Sequence, residues 1–259
     1  MSVNLNPTEQ NLVEVAWKGL QGGSFEPELT QGALDYETAV RVQFGVLERQ
    51  LAAGREIGGW KFGFAPPPLR QTLGENARVG GPLFAAGLHS SGFQLAADTP
   101  GLLLEVEVGL LVGRDLSGPG ATPEQAREAV ESFATCFELV GGSLPPVNLD
   151  RLTDLIAVGM GNFGVVAGPP VPPAEVSLDA LSSELLIDGE ATSDPKQEAT
   201  VGSPFVLLAD LANYLAPFGH VVRAGQRLIT GARMVQLDCP AAHYEARIAG
   251  LGSAELTLV

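Results

Sequence analysis

Two glutamates, Glu105 and Glu107, interrupt the apolar run at 102–112, LLLEVEVGLLV. The run has the length and the Val and Leu content of a buried strand. Side chains alternate faces along a strand, so both carboxylates share one face, roughly 7 Å apart at Cα. Val106 and Val108 take the other face. Two buried carboxylates repel each other and lose hydration, and a cation or a shared proton must compensate. A hard divalent cation is the simplest compensator: Mg²⁺ usually takes one or two carboxylates and keeps waters that a substrate can displace. The competing reading is a solvated strand face with two ordinary surface acids, and this stretch alone leaves both open. A third isolated acid, Glu138, lies between Phe137 and Leu139 in TCFELV at 135–140. A return over the intervening helix would set it beside the first two, and three carboxylates with three exchangeable sites complete an octahedral oxygen shell. Lys61 lies in EIGGWKFGF at 56–64, among Trp60, Phe62 and Phe64. A lysine in an aromatic strand usually snorkels to solvent; in a pocket it could hold a substrate carboxylate or move a proton. The residue pattern slightly favours solvent.

The elements that must position these residues follow from periodicity and turn chemistry. Apolar residues recur at helical spacing over 7–20, with Asn6 and Pro7 as cap and first helical residue. A second helix is predicted over 35–53, its apolar face Ala39, Val42, Val46, Leu47 and Leu51, stopped at Gly54. Residues 1–55 are therefore a helical preface, and 56–259 a β-rich unit forming one compact body with it. Pro66, Pro67 and Pro68 stop the first strand before a short helix at 69–73, and 74–92 reads as loop, with His89 exposed in it. Thr122 and Gln125 frame a capping box, opening a helix predicted to run to about Phe133. Strands are predicted at 135–140, 163–167, 183–188, 227–230, 234–237, 243–249 and 254–259, with a helix at 204–215. His220, just after that helix, is assigned a structural role, as a cation against the helix dipole. Helices first and then many strands make an α+β plan, not a βαβ repeat.

Composition excludes several classes. Thirty acids against 15 bases give a net charge of −15, with no basic patch for nucleic acid. An anionic substrate therefore needs its own local cation, a metal or a few placed Lys and Arg; Arg70, Arg233 and Asn162 are the candidate substrate-binding residues. Cys136 and Cys239 form no ligand spacing and suit a reduced protein. No signal sequence is evident and no apolar run approaches the roughly 20 residues of a membrane helix, so the expectation is a cytoplasmic protein without nucleic-acid or membrane partners.

Several segments resemble one family together: GGWKFGF around Lys61, LLLEVEVGLLVGRDL at 102–116, FELV around Glu138, GSPFVLLADLANYLAPFGHVVRAGQRLITGA at 202–232 and the final GLGSAELTLV. The chain resembles the 2-keto-4-pentenoate hydratase and 4-oxalocrotonate decarboxylase group of the fumarylacetoacetate hydrolase superfamily. The resemblance implies a Mg²⁺ or Mn²⁺ site made by Glu105, Glu107 and Glu138, and an active-site lysine at Lys61. It also implies a mixed β-roll core with a helical N-terminal region, usually assembled as a homo-oligomer.

Two departures stand out. The acidic LGxDxPDxG-like loop of the family is LGENARVGG at 73–81 here, with Val79 at the later acid position. The ADNASSG-like stretch is AVGMGN at 157–162, with only Asn162 polar. The expected chemistry is a metal-dependent lyase on a 2-oxo acid or 1,3-dicarbonyl substrate, through a metal-stabilised enolate. The alternatives are a diverged member that isomerises, cyclises or decarboxylates a larger apolar substrate, favoured by Val79, Val158 and Met160, or a non-catalytic partner subunit.

Overall fold

The computed structural model describes residues 3–22, 34–65, 70, 71, 73, 74, 77–142, 152–192, 196, 197 and 202–259. Helices α1 (Pro7–Gly22) and α2 (Tyr36–Ala52) come first. Asn6 caps α1 through its Oδ1, which accepts from Glu9 N at 3.0 Å, and Asp35 caps α2 through Thr38 N at 2.8 Å. Strands β1 (Ile57–Phe64), β2 (Arg78–Phe84), β3 (Leu88–Ser90), β4 (Phe93–Leu95) and β5 (Leu103–Val112) follow. Then come α3 (Pro123–Ala129), β6 (Val130–Val140), α4 (Leu152–Ala157), β7 (Asn162–Ala167), β8 (Ser183–Ile187), β9 (Glu190–Ala191) and β10 (Lys196–Gln197). Helix α5 (Pro204–Leu215) precedes β11 (Arg227–Ile229), β12 (Met234–Gln236), β13 (Ala242–Ile248) and β14 (Gly252–Leu258).

The large sheet runs β2-β1-β11-β5-β6-β7-β3, with β12 paired to β5 and β10. The small sheet runs β4-β14-β13-β8-β9 and mixes parallel and antiparallel pairs. This is the expected α+β, mixed β-roll plan. One face of the large sheet carries the main core, including Trp60, Phe62, Val106, Val108 and Phe137, all nearly or fully buried. Helices α2 and α5 cover part of it: Phe62 lies 5.2 Å from the Tyr214 ring, and Phe44 stacks on Phe218 at 3.8 Å. The small sheet docks on β6, where Thr135 Oγ1 donates to Gly252 O at 2.9 Å. The other face is the inside of the roll. Its floor is a separate apolar cluster of Leu83, Ala134, Cys136, Val165, Ala167 and Ile229.

Two expectations are corrected. The helix from Thr122 stops at Ala129 instead of Phe133, because Val130 is already extended (φ −74°, ψ 126°). The β-branched and aromatic residues that follow pair along β5, Phe133 with Leu110 and Ser132 with Leu111. The stretch 74–92 holds two strands, β2 and β3, where a loop was expected. Its glycines mark close approach, not freedom: a Cβ on Gly80 would fall 2.7 Å from Lys61 O, and one on Gly81 2.4 Å from Gly159 O. The latter contact brings β2 against the turn before β7 and so curls the sheet. Of the helix predicted at 69–73, residues 70, 71 and 73 are helical; Leu69, with Pro66, Pro67 and Pro68, lies outside the described residues.

Candidate metal centre and active site

Strands β5 and β6 are antiparallel neighbours in a register that sets Glu105 directly opposite Glu138, with Glu107 one step along opposite Cys136. Like charges opposed across a pair of strands destabilise it, and burial sharpens the conflict: Glu107 and Glu138 are 1% and 0% exposed. Each acid brings one carboxylate oxygen within 4.8 Å of those of the other two. Glu107 Oε2 accepts from the Gly231 backbone N–H at 2.7 Å. Glu138 Oε1 accepts from Lys61 Nζ and from Asn162 Nδ2, the latter at 3.0 Å. Glu138 Oε2 is buried and has no hydrogen-bond partner among the described residues.

Lys61 reaches this cluster from far away in the sheet. Two strands, β11 and β5, separate β1 from β6, a span of about 14 Å in a flat sheet. Only the curl lets Lys61 Nζ meet Glu138. The same ammonium donates to Met160 O at 3.3 Å. That carbonyl is aimed inward by three successive left-handed residues, Gly159 (φ 88°), Met160 (φ 65°) and Gly161 (φ 75°), which is why this turn is glycine-rich. Trp60 and Phe62 point away from Lys61, as alternation requires; Trp60 Nε1 donates to Gln226 Oε1 at 3.1 Å.

Burial, followed by the charge of Glu138, pushes Glu105 up to about 7, against the pull of Lys61. Burial and then Glu138 and Glu105 push Glu107 well above the carboxylate range. Burial also disfavours the Lys61 ammonium, yet Glu138 and Glu105 outweigh it and hold Lys61 above its ordinary value. One lysine does not neutralise three converging acids, two of them buried. Hard oxygen donors, a surplus of negative charge and the orphaned Glu138 Oε2 fit a divalent cation of the Mg²⁺ type.

The other candidates are distributed differently. Asn162 joins the cluster. Arg70 sits over the Phe64 ring at 6.0 Å, and alternation puts Phe64 on the side of β1 opposite Lys61. Arg233 is engaged by Ser183 Oγ and Leu181 O, each at 2.6 Å. It lines a groove of about 600 Å³ whose lining includes neither Lys61 nor any of the three glutamates. The structure thus brings together Lys61, Glu105, Glu107, Glu138 and Asn162, and leaves Arg70 and Arg233 outside their contacts. Val79 pairs with Gly63 and so shares the Lys61 face, while Val158 lines a cavity beside Asn162. His220 is corrected: burial lowers its pKa, and the ring packs on Phe44 and Trp60 as a neutral aromatic instead of a cation on a dipole. His89 is half-buried in β3, stacked on Phe93 at 3.7 Å.

Sequence reasoning missed Gln43. Its amide donates to Gly80 O at 2.8 Å and to Ile156 O at 2.6 Å, and it accepts from Tyr214 OH at 3.2 Å. It therefore ties α2 to β2 and to the element that leads into the Met160 turn. The signal was available: Gln43 and Gln50 stand seven residues apart on the buried face of α2, where polar side chains need a reason.

A curled sheet with acids and a lysine on its inner wall defines an enzyme-like centre in a β-roll. The chain matches the fumarylacetoacetate (FAA) hydrolase C-terminal family over residues 54–259 and belongs to that family. It is 29% identical over 228 residues to the TodF product hydratase of Pseudomonas putida F1, covering 86% of this chain and 84% of that protein. Identity to a 2-keto-4-pentenoate hydratase of Paraburkholderia xenovorans is 26% over 227 residues, covering 85% and 82%. The fold is that of 4-oxalocrotonate decarboxylase from Pseudomonas putida G7, a structure complexed with magnesium and adipate. The two superpose with a TM-score of 0.81 at 20% identity, over 99% of this chain and 100% of the other.

Proposed function

We propose that the protein is a divalent-metal-dependent lyase acting on a 2-oxo acid or 1,3-dicarbonyl substrate. The convergence of three carboxylates, two of them buried and one half-buried, with an orphaned oxygen and one lysine carries this reading, and the hydratase relatives support it. Glu105, Glu107 and Glu138 would hold Mg²⁺ or Mn²⁺. Such a cation supplies Lewis acidity, withdrawing electron density from a chelated 2-oxo carboxylate and stabilising charge that develops beside it. The Gly231 N–H fixes one oxygen of Glu107, and Asn162 fixes Glu138, so the ligands are pre-oriented. Lys61 Nζ, held by Glu138 and Met160 O, is the group placed to give or take a proton at the reacting carbon or oxygen. The apolar floor of the roll limits water access beneath the cluster.

Val79 and Val158 favour a diverged chemistry, decarboxylation, isomerisation or cyclisation, over hydration, because neither can position or deprotonate water. A homo-oligomeric assembly and a cytoplasmic location belong to the same proposal, on the family resemblance and the cysteine usage. Among the described residues no helix is long and apolar enough to cross a membrane.

The test is a titration of EDTA-treated protein with Mn²⁺, followed by electron paramagnetic resonance, and then product analysis with 2-oxo acids by NMR. One bound ion per chain, lost in Glu138→Gln, is expected. Absence of stoichiometric binding would overturn the metal assignment and leave the non-catalytic alternative.

A further inference from the structure

Lys61 spans the inside of the roll, and two walls must hold still for it: the strand pair that carries it and the turn whose Met160 carbonyl receives it. One buried side chain grips both. Among the described residues β2 ends the large sheet, and an edge strand leaves carbonyls without ladder partners. Helix α2 supplies them. Tyr36 OH donates to Arg78 O at 2.6 Å, and Gln43, seven residues on, donates to Gly80 O at 2.8 Å. Gly80 is the ladder partner of Phe62, and Gly81 that of Lys61. The same Gln43 nitrogen gives its second N–H to Ile156 O at 2.6 Å. Ile156 lies in α4, from which the turn departs: Met160 N donates to Leu155 O at 2.7 Å. Gly81 meets Gly159 backbone against backbone, with no room for a Cβ, so the strand and the turn touch where Gln43 ties them. Tyr214 OH of α5 donates to Gln43 Oε1 at 3.2 Å and fixes which way the amide faces.

We propose that Gln43 is a positioning residue for Lys61. A single nitrogen bonded to Gly80 O and Ile156 O fixes the spacing of the two walls, and so fixes where Met160 O stands relative to the strand pair of Lys61. That spacing sets where the ammonium rests between Glu138 and Met160 O. The inference rests on the function proposed above, in which Lys61 carries the proton. The carboxylate cluster is held by other means. Asn162 is fixed opposite Val140 in the β6–β7 ladder and by its own bond to Gly164 O at 3.1 Å, and Glu107 by the Gly231 N–H. Loss of Gln43 therefore displaces the proton carrier and spares the metal ligands, a distinction that a purely stabilising residue does not make. Gln43 belongs to the helical preface, outside the segment 54–259 that matches the family, and the preface thereby takes part in the chemistry.

The test has two arms, each run on Gln43→Met and on Tyr214→Phe, a milder change that keeps both carbonyl bonds and frees only the amide's orientation. The chain has three lysines, Lys18, Lys61 and Lys196. Labelling lysine Cε with ¹³C thus gives three NMR signals, and Lys61→Met identifies that of Lys61. In EDTA-treated full chain, both variants should shift or broaden the Lys61 signal and leave the other two in place. The second arm follows deuterium uptake at C3 of 2-oxopentanoate in D₂O with Mg²⁺: the C3–H bond breaks, the proton passes to Lys61 and a solvent deuteron replaces it. Gln43→Met should lower kcat for exchange by about 10²-fold, what a misplacement of about 1 Å costs, with KM and Mn²⁺ affinity unchanged; Tyr214→Phe should lose less in the same sense. In the Lys61→Met background, Gln43→Met should cost no further exchange, since both changes act on one group. A Lys61 signal unmoved in both variants, or losses that add in the double variant, overturns the inference alone. Absence of exchange in the unaltered protein with Mg²⁺ overturns it together with the function it rests on.

Discussion

The acid cluster should make the metal-free protein lose stability as pH rises, against the usual behaviour of carboxylates. Glu105 is pushed from 4.5 up to about 7 in the folded state. Between those values the native protein holds the proton while the unfolded chain has released it. Stability is therefore complete below pH 4.5 and is lost as pH climbs through 7. The displacement of this one carboxyl corresponds to about 3 kcal/mol, or about 6–12 °C in Tm for a domain of this size. Glu107, also raised well above the carboxylate range by burial and its acidic neighbours, acts in the same sense. His89 and His220, both lowered by burial, act in the opposite sense, gaining stability as pH rises through 6.5, so the measured slope is a lower bound. The assay is urea denaturation at intervals from pH 5 to 8, once in EDTA and once in Mg²⁺. With Mg²⁺ the decline should vanish, since a bound cation compensates the charge and competes with protons for the ligands. A flat or rising profile in EDTA, or the same profile in both buffers, would refute the charge account of the cluster.

Lys61→Met should leave the fold intact in Mg²⁺ and reduce turnover by about 10²–10⁴-fold, the usual worth of acid–base help; steady-state kinetics on any confirmed substrate checks it. Hydration of freshly generated 2-hydroxypenta-2,4-dienoate should be weak or absent because of Val79 and Val158, and a rate of roughly 1–10³ per second, typical of enzymes, would show that another group handles the water. Gln43→Met leaves the Gly80 and Ile156 carbonyls unmatched and should destabilise the protein by about 2–3 kcal/mol, read as a drop in the urea midpoint. Asn162→Ala frees Glu138 from its orienting amide and should weaken Mn²⁺ binding by about 10–100-fold, the usual effect of losing a supporting hydrogen bond to a ligand, measured by paramagnetic resonance.

Much of the fold was legible because local and tertiary preferences agree in it. The cap at Asn6, the capping box at Thr122 and the acid-bearing apolar run at 102–112 read directly, and each formed where the pattern put it. The errors came where tertiary packing overrode a local signal. Gly80 and Gly81 look like loop residues, yet they are strand residues whose missing Cβ admits Lys61 O and Gly159 O. Residues 130–133 continue the helical period of α3, but a neighbouring strand offered better pairing. His220 looked like a helix-terminal cation because the aromatic neighbours Phe44 and Trp60 lie far away in sequence.

The site divides along the same line. That Glu105 and Glu107 share a face follows from a period of two, within one strand. That Glu138 opposes Glu105 depends on the register of a neighbouring strand, and the lone acid in each apolar run was enough to suggest it. Lys61 is different, because its own strand gives no hint of where its side chain ends. Its pairing with Glu138 exists only because nine strands curl until β1 faces β6. The curl in turn depends on glycines at 80 and 81 and on the left-handed turn at 159–161. Of these glycines, Gly159 and Gly161 lie in the stretch where the family resemblance leads one to expect polar side chains. The left-handed turn that presents Met160 O to Lys61 thus falls in the same stretch, 157–162, in which Asn162 is the one polar side chain, so the geometry that completes the Lys61 site and the apolar character of this wall share one segment of chain.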